Sequence, residues 1–196
     1  MTVGATQLWW YTARSGGIVA WALLTASVLF GLALSTKVFG KRPRPNWLLD
    51  LHRFLGGAAV VFTVLHVVSI LLDKYVHFGV ADVLVPFASS WKPGAVAWGI
   101  VGFYVLLAIE ITSLLRSRIS KKLWRATHYA SFPLFVFASV HALTAGTDRN
   151  TLLLRYGVIV SAVAVLVLTL VRIDRSEGHD VMTSPAVERR PRVPVR

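Results

Sequence analysis

Cysteine does not occur among the 196 residues, which excludes disulfides, thiolate-ligated iron, iron–sulfur clusters and the C-x-x-C-H attachment of c-type haem. Methionine is nearly as scarce. Met1 and Met182 are the only two, and both fall outside every long apolar run, so a thioether axial ligand is excluded as well. Acidic residues number nine against 21 basic ones. The net charge of +12 would suit nucleic acid, but the basic residues flank apolar segments instead of forming a patch interleaved with aromatics, so nucleic acid is not an expected partner. No G-x-G-x-x-G occurs, and no FAD or NAD(P)H site of the dinucleotide-fold kind is expected. There is no internal repeat.

What the chain has in abundance is apolar sequence. Hydrophobic residues make up 55% and the mean hydropathy is +0.62, too apolar for an ordinary soluble domain of this size. Five segments reach the ~20 mostly apolar residues that cross a hydrocarbon core: Ser15 to Thr36, Phe54 to Leu72, Pro93 to Leu115, Ala126 to Thr147 and Thr151 to Val171. Arg155, near the start of the fifth, can snorkel to the interface. The first run is too long for a signal peptide and lacks a basic leader, so it reads as a span. The expected fold is therefore all-α, a polytopic membrane bundle of about five transmembrane helices filling residues 1–172. The remaining 173–196, with Pro185, Pro191, Pro194 and many charges, read as a disordered basic cytoplasmic tail.

Lysine and arginine set the expected orientation. The connections between spans one and two and between three and four, together with the stretch after span five, hold 16 basic residues, whereas the opposite side holds Arg14, Lys74, Lys92, Arg149 and Arg155. The positive-inside rule then puts the N-terminus outside and the C-terminus in the cytoplasm of a cell-membrane protein, with spans two and four running the same way. The long connection over 73–92, YVHFGVADVLVPFASSW within it, reads as an interfacial cap on the outer side.

Four histidines stand on spans two and four. His52 and His66 are 14 residues apart and His128 and His141 are 13 apart, roughly 20 Å in each case at ~1.5 Å rise per residue. Ionisable groups inside a span are costly and mark ion, proton or electron paths. With parallel spans, His52 and His128 share a level near the cytoplasmic face, and His66 and His141 share one near the outer face. Two levels of two imidazoles suit two non-covalent b-type haems, one iron between His52 and His128 and the other between His66 and His141. Zinc would need four ligands at each level. Fourteen residues keep His52 and His66 on one face of a supercoiled helix. Thirteen leave roughly a quarter to a third of a turn over, which a kink at Pro133 would help to close. His77 and His179 have no matched partner and are read as non-ligands.

Around the ladder, Gly56, Gly57, Ala58 and Ala59 leave room beside the inner level, and Phe62, Phe132, Phe135 and Phe137 are candidates to pack on macrocycles. Thr63 is the expected acceptor for the second ring proton of His66. Arg53 and Arg125 are the inner candidates for haem propionates, with Arg14, Lys74 or Lys92 the outer ones. Glu110, the one acid inside a span, is expected to pair with a base such as Arg53, because an unpaired buried charge is costly.

LHRFLGGAAVVFTVLH, ending at His66, and LWRATHYASFPLFVFASVH, ending at His141, resemble the paired-histidine motifs of the ferric reductase-like transmembrane domain family, which includes ferric reductases and the membrane part of NADPH oxidases. The resemblance covers roughly Trp10 to Arg172. It implies that His52, His66, His128 and His141 carry two b-type haems that pass electrons across the membrane. Members of that family usually continue into a cytoplasmic flavin domain, where here only the short tail follows. That implies a separate flavoprotein or a quinol as donor, and ferric iron, oxygen or a periplasmic protein as acceptor. Two alternatives share the chemistry. A haem-binding membrane subunit of a periplasmic methionine sulfoxide reductase system resembles span four but generally lacks a ligand at the His52 position. A quinol-oxidising cytochrome b has more spans and a P-E-W-Y motif, which this chain lacks.

Overall fold

A computed structural model describes residues 3–40, 42–74, 76–146, 148 and 150–183, with the backbone alone over 3–6 and 176–183. Among the described residues seven helices follow in order: α1 (Val3–Thr36), α2 (Pro45–Leu72), α3 (Val80–Leu84), α4 (Pro93–Leu114), α5 (Lys121–Tyr129), α6 (Ser131–Thr144) and α7 (Leu152–Thr183). Four of them contain stretches long and apolar enough to cross a membrane: Gln7–Thr36, Pro45–Leu72, Pro93–Leu114 and Leu152–Arg175. The protein is an all-α, multi-pass membrane bundle.

The expected fourth span is not one helix. Pro133 has no N–H to give, and its ring excludes the carbonyl of Tyr129 four residues back, so α5 ends at Tyr129. The Ala130 N–H turns to the Thr127 carbonyl at 3.0 Å, and regular bonding resumes with Leu134 N–H on the Ala130 carbonyl, also 3.0 Å. Single-span continuity from Ala126 to Thr147 is thus corrected to α5 and α6, and Thr147 itself lies outside the described residues. Elsewhere proline starts helices, Pro45 in α2 and Pro93 in α4, where its missing donor costs nothing. Ser120 caps α5 by accepting the Leu123 N–H at 3.2 Å. α7 runs past Val171 to Thr183, since no proline intervenes before Pro185. The rest of the expected tail, 184–196, lies outside the described residues.

α1 is the hub, packed along α2 and also against α6 and α7, while α4 packs mainly on α6. The core joins Leu24, Val28 and Leu32 of α1 to Ala59 of α2, Leu106 and Ile109 of α4, Leu134 and Phe135 of α6, and Val165 of α7. Phe135 thus serves the bundle core rather than an open cleft. Val61 and Val68 on α2 and Ile159, Val163, Leu166 and Leu170 on α7 stay exposed, as faces turned to hydrocarbon do. Polar ties brace the bundle: Trp21 Nε1 donates to Ser139 Oγ at 3.1 Å, and the Arg14 guanidinium grips both carboxylate oxygens of Asp148. Among the described residues no Cα of α2 comes within 8 Å of one in α5 or α6. The two histidine-bearing elements face each other across a gap.

Candidate functional site

Four imidazoles bridge that gap. His52 and His128 have ring centroids 6.0 Å apart with planes at 78°, and His66 and His141 are 6.3 Å apart at 79°. The structure brings His52 next to His128 and His66 next to His141. The break at Ala130 accounts for the awkward 13-residue spacing, since His128 sits on α5 and His141 on α6. Each ring need only face α2 from its own helix.

Three of the four rings are tied back by one device. His66 Nδ1 lies 2.6 Å from the Ala13 carbonyl, His141 Nδ1 2.8 Å from that of Ala95, and His52 Nδ1 2.9 Å from that of Ser27. These carbonyls lie within helices, and four residues beyond each stands a glycine: Gly17, Gly99 and Gly31. A helical Cβ leans toward the preceding turn, so a side chain there would cover the carbonyl. A Cβ on Gly99 would lie 2.6 Å from His141 Cε1, one on Gly17 2.9 Å from His66 Nδ1, and one on Gly31 3.2 Å from His52 Cε1. Glycine bares the second lone pair and lets the ring approach. With Nδ1–H donated, each Nε2 keeps its lone pair. Two such rings about 6 Å apart can direct a nitrogen each at one metal centre between them. His128 is the exception: among the described residues its buried Nδ1 has no hydrogen-bond partner, and its ring lies on Trp124, centroids 5.0 Å apart and planes at 22°.

A cavity of about 290 Å³ opens around His66 and His141. α1, α2, α4 and α6 wall it, and Val76, Phe78, Val83 and Trp91 from the 73–92 connection close it, so this stretch caps the site as expected. Tyr104 fastens the cap by donating to the Leu84 carbonyl at 2.7 Å. Among the described residues no three His, Asp or Glu side chains come together to hold a bare metal ion. A metal between either pair must bring its other ligands with it.

Residues 16–139, more than half of the chain, match the family described as ferric reductase like transmembrane component. The chain belongs to this family. The matched range contains His52, His66 and His128 and stops two residues short of His141, which the tertiary structure places opposite His66. An uncharacterised protein of Archaeoglobus fulgidus is similar, 26% identical over 129 residues, which is 62% of this chain and 68% of that one. No solved structure matches. Membership makes the chain a ferric reductase-like membrane component of electron transfer.

In this ferric reductase-like bundle several expected neighbours of the ladder stand elsewhere. Thr63 is not the acceptor for His66. Its hydroxyl donates to the Ala59 carbonyl of its own helix at 2.7 Å, because a helical threonine reaches that carbonyl without leaving its turn. Glu110 does not pair with Arg53. Arg53 lies 3.7 Å from Asp50, both well exposed, while Glu110 extends to where a Cβ on Gly56 would be, 2.5 Å from its Oε1. Gly56 is thus filled by Glu110 rather than left as space. Arg125 stands with Tyr129 and Arg172 around a surface recess, and Arg172 donates to the Tyr129 hydroxyl at 3.1 Å. Of the other cations, Arg14 is engaged by Asp148 and stacked on Trp10. Lys92 donates to the Thr144 carbonyl at 3.2 Å. Phe137 packs on Trp98 at 5.3 Å, and His77 stays exposed. The carbonyl–glycine anchors and Trp124 went unread in the sequence. One signal was there: Gly17 and Gly31 are 14 residues apart, as are His52 and His66, and α1 runs antiparallel to α2.

Proposed function

We propose that this protein is a dihaem b-type cytochrome of the cell membrane, the electron-carrying part of a metalloreductase-like system, with His52 and His128 holding one haem and His66 and His141 the other. The carrying observation is the pair of centroid separations, 6.0 and 6.3 Å. Metal–imidazole bonds of about 2.1 Å and a ring radius of roughly 1.1 Å, as bonds near 1.33 Å give a five-membered ring, put two axial imidazoles about 6.4 Å apart. Two protein ligands per centre, with no third at hand, suit a metal that carries four equatorial nitrogens of its own. Around His66 and His141 the gap widens into the cavity of about 290 Å³.

Bound there, haem supplies one-electron exchange between ferric and ferrous iron. The chain's residues hold that exchange to electron transfer. His52 with His128, and His66 with His141, would each hold one haem through both of their imidazoles, which would favour electron exchange over binding a substrate at the metal. The carbonyls of Ala13, Ser27 and Ala95 fix the tautomer and tilt of three rings and raise their basicity. Leu24, Leu106 and Leu134 are among the apolar side chains that keep water from the cavity around His66 and His141. Arg53 and Arg125 are the cations offered to propionates beside His52 and His128. By the positive-inside rule that level faces the cytoplasm, and electrons pass from a separate flavoprotein or quinol there to ferric iron, oxygen or a periplasmic protein outside.

Haem quantitation on the purified protein tests the reading, together with reduced-minus-oxidised spectra and reoxidation by ferric chelate, oxygen and quinone in turn. Two haems per chain are expected, and one after His66→Ala or His141→Ala. One haem or none in the native chain, or a spectrum indifferent to both substitutions, overturns it. The fastest oxidant identifies the acceptor class.

A further inference from the structure

The two levels are not built alike. Three imidazoles donate Nδ1–H to a backbone carbonyl, whereas the fourth, His128, has a buried Nδ1 with no partner. What His128 has instead is Trp124, one turn earlier on the same helix, stacked at 5.0 Å and 22°. The indole's own Nε1 is also buried without a partner, so packing alone holds it. The same indole carries the Arg116 guanidinium 4.5 Å from its ring centre. Indole and imidazole stack because residues four apart on a helix meet on one face, and the Arg116 guanidinium, from the turn before α5, covers the same indole.

We propose that Trp124 is a positioning residue for His128, holding by stacking the ring that elsewhere a carbonyl holds, and that the His52–His128 level therefore has the higher reduction potential. This rests on the dihaem reading above. A donated Nδ1–H makes an imidazole a stronger electron donor and favours ferric iron. The His66–His141 level has two such bonds and the His52–His128 level one. Reduction adds one electron to an iron and makes or breaks no bond, so nearby cations favour the ferrous state. Arg116 lies on the indole that stacks on His128 and Arg172 donates to the hydroxyl of the adjacent Tyr129, while at the other level the Arg14 charge is cancelled by Asp148. Glu110, beside Gly56, acts in the opposite sense as a single acid against two guanidiniums.

Redox potentiometry of the purified full chain with dithionite and ferricyanide, and the low-spin ferric EPR spectrum, read this directly. Two one-electron steps are expected, with the upper one surviving in His66→Ala. Trp124→Leu should move the upper step to lower potential by about tenfold in the reduction equilibrium, ~59 mV for one electron, and shift one EPR signal as the His128 plane relaxes. Trp124→Phe, which keeps an aromatic face, should stay near the native values. Loss of that one haem in Trp124→Leu with its return in Trp124→Phe supports the same role. Should Trp124→Leu not accumulate, Arg116→Gln carries the test by lowering the same step. Two haems with an upper step and EPR signals indifferent to Trp124→Leu overturn this inference alone, as does survival of the lower step in His66→Ala or loss of both haems in Trp124→Leu. Fewer than two haems in the native protein overturn the dihaem reading with it.

Discussion

Gly99→Ala puts the carbonyl–glycine device to the test. A Cβ at this position would lie 2.6 Å from Cε1, 2.7 Å from Nδ1 and 3.0 Å from Nε2 of His141. Carbon–carbon contacts settle at about 3.5–4.0 Å, so the ring must retreat by roughly 1 Å. Its Nδ1 lies 2.8 Å from the Ala95 carbonyl, and the same retreat stretches that bond to about 3.8 Å, beyond hydrogen-bonding range. Losing the bond costs about 0.5–1.5 kcal/mol and the overpacking about 1–3 kcal/mol. Together these come to roughly 1.5–4.5 kcal/mol, or about 10- to 2,000-fold in the affinity of the His66–His141 level for the proposed haem at ~1.4 kcal/mol per tenfold. The assay is haem per chain, with the α-band of the dithionite-reduced protein at limiting haem. One haem should be lost and the His52–His128 haem kept. Gly16→Ala serves as the control, since its Cβ would meet His66 at an ordinary 3.6 Å. A Gly99→Ala protein with two haems and a native spectrum would refute the argument that this ring is held by a bared carbonyl.

The device occurs three times, so its strength should be graded. Gly17→Ala, 2.9 Å from His66 Nδ1, should also empty the His66–His141 level, whereas Gly31→Ala, 3.2 Å from His52 Cε1, should weaken its own level less; haem titrations of the two variants give the order. Pro133→Ala restores a donor to the break between α5 and α6. It should raise helical content by circular dichroism while rotating His128 away from the face that His141 uses, with one haem lost. Breaking the Arg14–Asp148 pair, whose side chains are 36% and 11% exposed, should destabilise the bundle. Asp148→Asn or Arg14→Gln should each cost about 1–2 kcal/mol, between the values for exposed and buried pairs. A lowered Tm in detergent would show this, and the double variant should recover part of the loss.

Much of this was legible because a membrane chain writes its architecture in one dimension. Runs of ~20 apolar residues mark spans whatever they pack against, and four of the five stand as continuous helices. Equal spacing on two spans pairs the histidines by level, and the structure sets the paired rings 6.0 and 6.3 Å apart. The break at Ala130 was half legible: Pro133 announced a kink, but only the hydrogen bonds show the span divided and α5 starting at Lys121. Thr63 and Glu110 misled because sequence proximity names candidates without directions. A hydroxyl that reaches its own helix carbonyl has no need of a neighbour's ring, and a carboxylate goes where a glycine leaves space.

The sequence by itself determined the class of molecule and singled out four imidazoles as candidates, because hydropathy, basic-residue placement and the elimination of cysteine and methionine are properties of residue type and spacing. Tertiary structure alone decided what anchors those imidazoles. Ala13 and Ala95 take part through backbone carbonyls, which no side chain advertises, Ser27 through its carbonyl and also its hydroxyl, 3.1 Å from His52 Nδ1, and Gly17, Gly31 and Gly99 through the atom they lack. Their importance exists only where a second helix brings an imidazole against them. For His128 no such helix arrives, and its own helix supplies Trp124 instead.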